Sequence, residues 1–327
     1  MAGGPSTVSL VTAASLAGAF AFLAGGYTRA SEMAAEMAAV RDAGVESFGV
    51  NVFVPGRPTA DARRLAEYLA SLEAEAAALG GSLGLPKWDD DDYPAKIEVL
   101  LAHPPAAVSF TFGLPGIEVV RALQAAGTLV LFTVTTPDEA VLALRLGPDA
   151  LCLQGAEAGA HRGSLDNDDR ADADRSVRSL LAAVRRRTLA PLVAAGGVGG
   201  PEDVRDLLRR GATVVQAGTA FLRSDESGAA PVVKDALASA HFASSGTVVT
   251  RAFSGRRARS LVNAMTRDHV GAPAAYPEIN NATRPLRAAA VRAGDADHMS
   301  LYAGTAFGRA EARPAAEIVG LLVSGLS

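Results

Sequence analysis

The chain holds a single cysteine, Cys152, in 327 residues. With no second thiol to pair with inside the chain, a disulfide scaffold is excluded, and a reducing, cytoplasmic setting is the expectation. Cys152 sits in an apolar run, "ALCLQG", and reads as an inert core residue. A basic excess is also missing: 31 Lys and Arg stand against 35 Asp and Glu, a formal net charge of −4. That removes the electrostatic footprint of a nucleic-acid binder. The N-terminal run "VSLVTAASLAGAFAFLAGG" has no Lys or Arg before it, the first being Arg29, and Ser15, Gly18 and Gly25-Gly26 break it. It therefore lacks the flank of a signal peptide and the unbroken length of a membrane span. It reads as a helix over Thr7–Ala17 followed by a buried strand over Ala19–Leu23, with no membrane involved. Two acidic clusters, "WDDDDY" (Trp88–Tyr93) and "DNDDRADAD" (Asp166–Asp174), read as solvated loops, and no metal is expected.

What is present is a regular alternation. Short apolar runs recur as "AFAFLAG", "SFGVNVF", "AAVSFTFG", "TLVLFTV", "ALCLQG", "PLVAAGG" and "TVVQAG". Segments of helical character lie between them, several ending in Gly and some opening with Thr or Pro. Alternation of this kind means parallel strands joined by crossover helices. The runs give seven strands, where a closed parallel barrel needs eight. An open doubly wound sheet or a barrel without its first strand would both fit. No early Gly-x-Gly-x-x-Gly turn marks a dinucleotide fold. The Gly-rich turns "AAGGVGGPEDV" and "VQAGTAFL", after the last two strands, decide for the (β/α)8 TIM barrel, because barrels place a phosphate site there. Residues 1–225 are read as this barrel and 226–327 as a helical extension packed on it.

Reactive residues of a parallel barrel gather at the strand C-termini. Asn51 ends one strand, and Gln154 and His161, in "QGAEAGAHRG", follow another. The paired Gly turns complete that rim. A phosphate clamp beside carboxamides suits a phosphorylated cofactor whose ring accepts hydrogen bonds, flavin mononucleotide (FMN) being the obvious one. Such a cofactor would carry the redox chemistry while the protein orients substrate and supplies one acid or base. His161 is the natural base, since imidazole titrates near neutrality. His103, His241, His269 and His298 fall in helices, loops or the extension and read as structural.

"QGAEAGAHRG" with "VAAGGV" and "VQAGTAFL" resembles the nitronate monooxygenases, formerly called 2-nitropropane dioxygenases, which are FMN-dependent TIM barrels. The similarity extends through "GVNVF", "FTVTTPDEA", "FSGRRARSLVNAM" and "YPEINNATRPLRAAA". The resemblance implies that His161 removes the proton alpha to a nitro group, or holds the anionic nitronate. It implies that Met1, Ala2, Asn51, Gln154, Gly159 and Ala160 lie against the flavin. It implies that Gly196, Gly197, Gln216, Ala217, Gly218 and Thr219 bind its phosphate end. The partners implied are a nitronate or nitroalkane and O2, with a carbonyl compound and nitrite as products; a homodimer is left open.

Two departures from the family pattern stand out. The family reads Gly-Gly-His where this chain reads Gly159-Ala160-His161, an exchange expected to be tolerated because Ala avoids little beyond φ > 0. The family also has an apolar strand ending in Pro-Met where this chain begins. Met1 is thus expected to match the end of a first barrel strand, with a misplaced start and weak stability or flavin binding as the reading. Flavin-dependent enoyl-acyl carrier protein reductases and NAD(P)H:quinone reductases share much of the motif set and are the rival enzymes. A barrel that binds a phosphorylated ligand without turnover is the non-enzymatic rival, and His161 weighs against it.

Overall fold

A computed structural model describes residues 1–59, 61–167 and 174–326. The runs read as strands all form strands: β1 Phe22–Ala24, β2 Gly49–Phe53, β3 Ala107–Thr111, β4 Leu129–Val134, β5 Ala150–Gln154, β7 Leu192–Ala195 and β8 Val214–Gln216. They make one seven-stranded sheet in that order, every neighbouring pair parallel. A short strand, β6 Ala160–His161, interrupts the series after β5. The expected first element is helix Val8–Leu16, started by Thr7, whose hydroxyl accepts from the Leu10 N–H at 2.9 Å. The strand expected over Ala19–Leu23 is shifted to β1, because Gly18 ends the helix at φ +93° and the chain needs the next residues to turn back.

Side chains alternate across a strand with period two, and the two faces of this sheet differ in chemistry. Val50, Val52, Val108, Phe110, Val130, Phe132, Leu151, Leu153, Leu192 and Ala194 are fully buried and pack in one core with Met33, Met37, Leu100, Val120, Leu123, Leu180 and Leu181 of the crossover helices. Each such Val, Leu or Phe contributes roughly 1.5–3 kcal/mol. The alternate positions, Asn51, Ser109, Thr111, Thr133, Cys152 and Gln216, form a polar belt on the inner face. Asn51 Nδ2 donates to Ser109 Oγ at 2.7 Å and Thr111 Oγ1 at 2.9 Å, and Thr111 Oγ1 to Thr133 Oγ1 at 3.2 Å. The Cys152 thiol reaches Gln216 Oε1 at 3.4 Å although β7 lies between their strands, so the sheet is curled into a barrel wall. β1 and β8 stand at the two ends of the strand order and are not hydrogen-bonded to each other.

After residue 226 the chain forms helices, the longest being Glu278–Ala293, and also adds β9 Thr247–Thr250 and β10 Ala258–Leu261, which the reading above did not foresee. These two pair antiparallel, and β10 pairs on its other side with β6. Ala258 lies opposite His161 and Arg259 opposite Ala160. The C-terminal segment therefore grips the loop after β5 through a sheet of its own. Helix Ala315–Val323 returns to pack on helix Val8–Leu16 and helix Pro201–Arg209. Among the described residues no helix is long and apolar enough to cross a membrane.

Candidate active site

The loop after β5 is shaped by one side chain. Gln154 Nε2 donates to the His161 carbonyl at 2.9 Å, while its Oε1 accepts from Arg162 Nη1 at 3.0 Å and from the Gly163 N–H at 2.8 Å. Its amide thus ties the strand end to the backbone flanking the histidine and is spent on the protein. Gly159 is required by close approach: a Cβ there would lie 2.4 Å from the Gly304 nitrogen and 2.5 Å from the Ala303 carbonyl carbon. Ala160 adopts φ +62°, the one region in which tolerance of Ala was not expected, so the chain carries local strain where glycine would have none.

β6 and its pairing with β10 place the His161 ring in an aromatic box. Its centroid lies 5.8 Å from Phe112, 5.7 Å from Tyr276 and 5.2 Å from Tyr302. His161 Nε2 is 2.8 Å from Ser254 Oγ, and that hydroxyl also lies 3.2 Å from the Arg256 carbonyl. Ser254 can therefore donate to a bare Nε2, or accept from Nε2–H and pass its own proton to the carbonyl. Either way Nδ1 has no partner among the described residues. Burial first, then the positive charges of Arg256 and Arg287, push the imidazole down to about pKa 3, so the ring is neutral at pH 7.

The walls of this box come from distant segments. Tyr276 OH donates to Tyr27 OH at 3.1 Å, and Tyr27 stacks edge-on with Phe53. The Arg256 guanidinium lies over the Phe112 ring, 4.0 Å from its centroid. Desolvation raises the Tyr276 and Tyr302 phenols above their usual range, which keeps both protonated. Outside Tyr276 opens a cleft of about 210 Å³, lined among others by Tyr27, Arg29, Val54, Asp91, Asn280 and Arg284.

The second part of the rim lies after β7 and β8, which are adjacent, with Ala195 opposite Gln216. Gly196 and Gly197 take φ +114° and +72°, a stretch that L side chains rarely adopt. The N–H groups of Gly196, Gly197, Gly218 and Thr219, all on half-buried residues, find no acceptor among the described residues. Further along, the N–H groups of Gly199 and Gly200 are already taken by Asp203 Oδ2, at 3.0 and 3.2 Å, so the start of helix Pro201–Arg209 is capped from within. Thr219 Oγ1 accepts from the Gly304 N–H at 3.0 Å. That contact joins two copies of one word, "QAGTAF" at 216–221 and "YAGTAF" at 302–307. The Met1 side chain lies against Gly218, 3.6 Å from where a Cβ would stand, with Ala2 beside it in the turn before the first helix.

The structure thus brings Gln154, Gly159, Ala160 and His161 onto one loop, and Gly196, Gly197, Gln216, Ala217, Gly218, Thr219 and Met1 onto the adjoining strand ends. Asn51 lies lower, in the polar belt, with its Nδ2 engaged and its Oδ1 unbonded among the described residues. Ser254, Arg256, Phe112 and Tyr27 were not singled out from the sequence. "FSGRRARS" contained Ser254 and Arg256, but only the fold turns them toward His161.

The two acidic clusters fare differently. In the first, Asp91 accepts from the Tyr27 N–H at 2.8 Å and pairs with the fully buried Lys96 at 2.8 Å, while Asp92 accepts from the Ala30 N–H at 2.8 Å. It is a built corner rather than the solvated loop expected. Most of the second cluster, residues 168–173, lies outside the described residues.

Residues 1–325 match the family described as nitronate monooxygenase. The nitronate monooxygenase of Pseudomonas aeruginosa is 37% identical over 334 residues, covering 99% of this chain and 93% of the relative. A probable nitronate monooxygenase of Staphylococcus aureus is 30% identical over 328 residues, covering 99% and 92%. Among solved structures, the nitroalkane oxidase from Streptomyces ansochromogenes superposes with a TM-score of 0.96 at 44% identity, covering 100% of this chain and 93% of that one. FabK from Thermotoga maritima, at 23% identity and a TM-score of 0.73, shares the fold. With the whole barrel, its covering segment and the histidine loop inside the matched span, the chain belongs to the nitronate monooxygenase family of oxidoreductases.

Proposed function

We propose that this chain is an FMN-dependent nitronate monooxygenase that oxidises alkyl nitronates with O2 to carbonyl compounds and nitrite. The observation that carries the reading is a neutral, half-buried imidazole anchored through Nε2 to Ser254 and free at Nδ1, on the rim that holds a set of unpaired amides. Those amides, Gly196, Gly197, Gly218 and Thr219, suit a phosphate, and the absence of a Cβ at the three glycines lets a ligand approach the backbone closely. Met1, Ala2, Gln216 and Ala217 would line the same end. Gly159, Ala160 and Asn51 Oδ1 would meet the ring system, with Gln154 acting on the loop rather than on the cofactor. In this division residues 1–225 hold the cofactor, and residues 226–327 cover it and complete the substrate cavity.

FMN, when bound, supplies the acceptor for electrons from the nitronate and their delivery to O2. The chain's own residues do the rest. The phenyl and phenol rings of Phe112, Tyr276 and Tyr302 exclude water from the face beside His161. Ser254 fixes the imidazole, and Nδ1 meets the nitro or nitronate group. A ring held near pKa 3 is a weak acceptor for a carbon-bound proton, so His161 acts as base on neutral nitroalkanes only feebly. It suits a substrate that arrives already deprotonated, to which Nδ1–H donates while Ser254 donates to Nε2.

The test is the anaerobic visible spectrum of the purified holoprotein. Loss of the yellow flavin absorbance on adding an alkyl nitronate, and not on adding NADH or NADPH, is expected. Rapid bleaching by a nicotinamide alone would move the assignment to the reductases, and a protein that binds no flavin would overturn it.

A further inference from the structure

Arg256 is a buried cation without an anionic partner. Its residue is 5% exposed, and its Nε donates to the Arg162 carbonyl at 3.2 Å. Nη2 donates to the Ser164 carbonyl and lies 3.5 Å from Ser164 Oγ. These acceptors are all neutral, Nη1 donates to no described residue, and no carboxylate among the described residues comes within ion-pair distance. Glu139, a carboxylate whose field reaches Arg256, is spent on the N–H groups of Thr135, Thr136 and Leu165 and on the Thr135 hydroxyl. Arg287, which is half-buried, also bonds to neutral acceptors, Thr283 Oγ1 and the carbonyl and side-chain oxygens of Asn280. Two other cations are deeply buried: Lys96 has its Asp91, and Arg162 Nη1 donates to Gln154 Oε1 and to the Gly155 carbonyl.

Burying a charge without a counterion is costly, and the cation–π contact with Phe112 offsets only part of that cost. Phe112 itself is held at φ +76°, a conformation that a bulky residue adopts only when its surroundings impose it. The ring so fixed lies under the Arg256 guanidinium and meets the His161 ring in a T-shaped contact. The uncompensated charge is thus built into the same aromatic box as the imidazole.

We propose that Arg256 is the counter-charge that makes the site beside His161 selective for a small planar oxyanion over a neutral molecule of the same shape. The inference rests on the nitronate reading above and assigns its preference for the deprotonated substrate to a residue. Arg256 acts through charge and position and takes no part in bond making.

Nitrate, a planar oxyanion that cannot be oxidised further, is the probe. It is titrated into wild-type, Arg256→Lys and Arg256→Met holoenzyme, read by the perturbation of the flavin spectrum. The Met variant is expected to bind nitrate roughly 10- to 100-fold more weakly, the range for losing a hydrogen-bonded charge, and the Lys variant to keep clearly more of the affinity than the Met variant, since the charge remains although the stacked, forked geometry is lost. With nitronate as substrate, KM in the Met variant should rise by the same factor with kcat changed far less. Unaltered nitrate affinity in the Met variant would overturn the proposal. So would equal losses in both variants, which would mark a role in holding the Ser164 backbone, or a shifted flavin potential with unaltered nitrate binding, which would make the flavin the anion served. Should the Met variant fail to fold, wild type decides: equal affinity for nitrate and for neutral nitroethane overturns the idea. Failure of the nitronate reading shows separately, as wild-type flavin that nitronate does not bleach.

Discussion

Gly159 and Ala160 are neighbours for which single-methyl changes should act in opposite directions. Ala160 is held at φ +62°, where an L residue is strained by about 1–2 kcal/mol. Replacing it by Gly removes the strain but gives the unfolded chain more freedom, a loss of about 0.4–1 kcal/mol. Ala160→Gly should therefore stabilise by about 0.5–1 kcal/mol. At Gly159 the added methyl would lie 2.4 Å from the Gly304 nitrogen, 2.5 Å from the Ala303 carbonyl carbon and 2.9 Å from the Ala303 Cα. Those are backbone atoms, pinned by the Gly304 N–H to Thr219 and the Thr305 N–H to the Glu157 carbonyl. The strands of loop must part by about 1 Å, and overpacking of that kind costs about 3 kcal/mol. Since 1 kcal/mol moves the midpoint of a chain this size by roughly 2–4 °C, calorimetry should find Ala160→Gly about 1–3 °C above wild type and Gly159→Ala at least 6 °C below it. A lower Tm for Ala160→Gly, or a Gly159→Ala protein within 1 °C of wild type, would mean that the loop does not run as described.

Other expectations are simpler. Ser254→Ala should lower kcat about 3- to 10-fold, the worth of one hydrogen bond, with partial recovery in Ser254→Thr; steady-state kinetics with nitronate check it. The His161 pKa lies below its unfolded value of about 6.5, so the unfolded chain binds the extra proton, and stability falls as pH drops from about 6.5 toward 3. His161→Asn should flatten that fall, by at most about 1.4 kcal/mol per pH unit in urea titrations. Lys96→Met leaves Asp91 without its partner and should cost about 3 kcal/mol by denaturant midpoint. Burial pushes the Cys152 thiol up to about 12, so native protein at pH 8 should resist iodoacetamide, and fast alkylation detected by mass would contradict its placement.

The barrel was legible because each strand carries its own signal: an apolar run, a Gly stop and a helix behind it. "TPDEA" even encodes its cap, with Thr136 Oγ1 accepting from the Glu139 N–H at 3.1 Å. His161 and the glycine turns were legible as loop residues at strand ends. The rest of the site was not, because its members meet across long separations. Ser254 reaches His161 over 93 residues, and β10 finds β6 through a pairing too short to mark the sequence with alternation. The bonds that the Gln154 amide makes to the His161 carbonyl, Arg162 and Gly163 were not legible, since nothing local says whether an amide faces a ligand or its own loop. The "DDDD" run looked like a solvated surface until Lys96, a few residues on, proved to be buried against it.

The antiparallel pairing of β6 with β10 also orders events during synthesis. The last barrel strand ends at Gln216, yet Ser254, Ala258, Tyr276 and Tyr302, which hold and enclose the imidazole, are all still to be made. At roughly 5–20 residues per second, the ribosome needs about 4–17 s to go from Gln216 to Tyr302. For about the first half of that interval, until Ser254 and Ala258 are made, His161 has neither its strand partner nor its serine. A growing chain can complete its barrel wall with the reactive ring still unplaced, and a product cut short before β10 would carry every glycine of the rim and no working histidine.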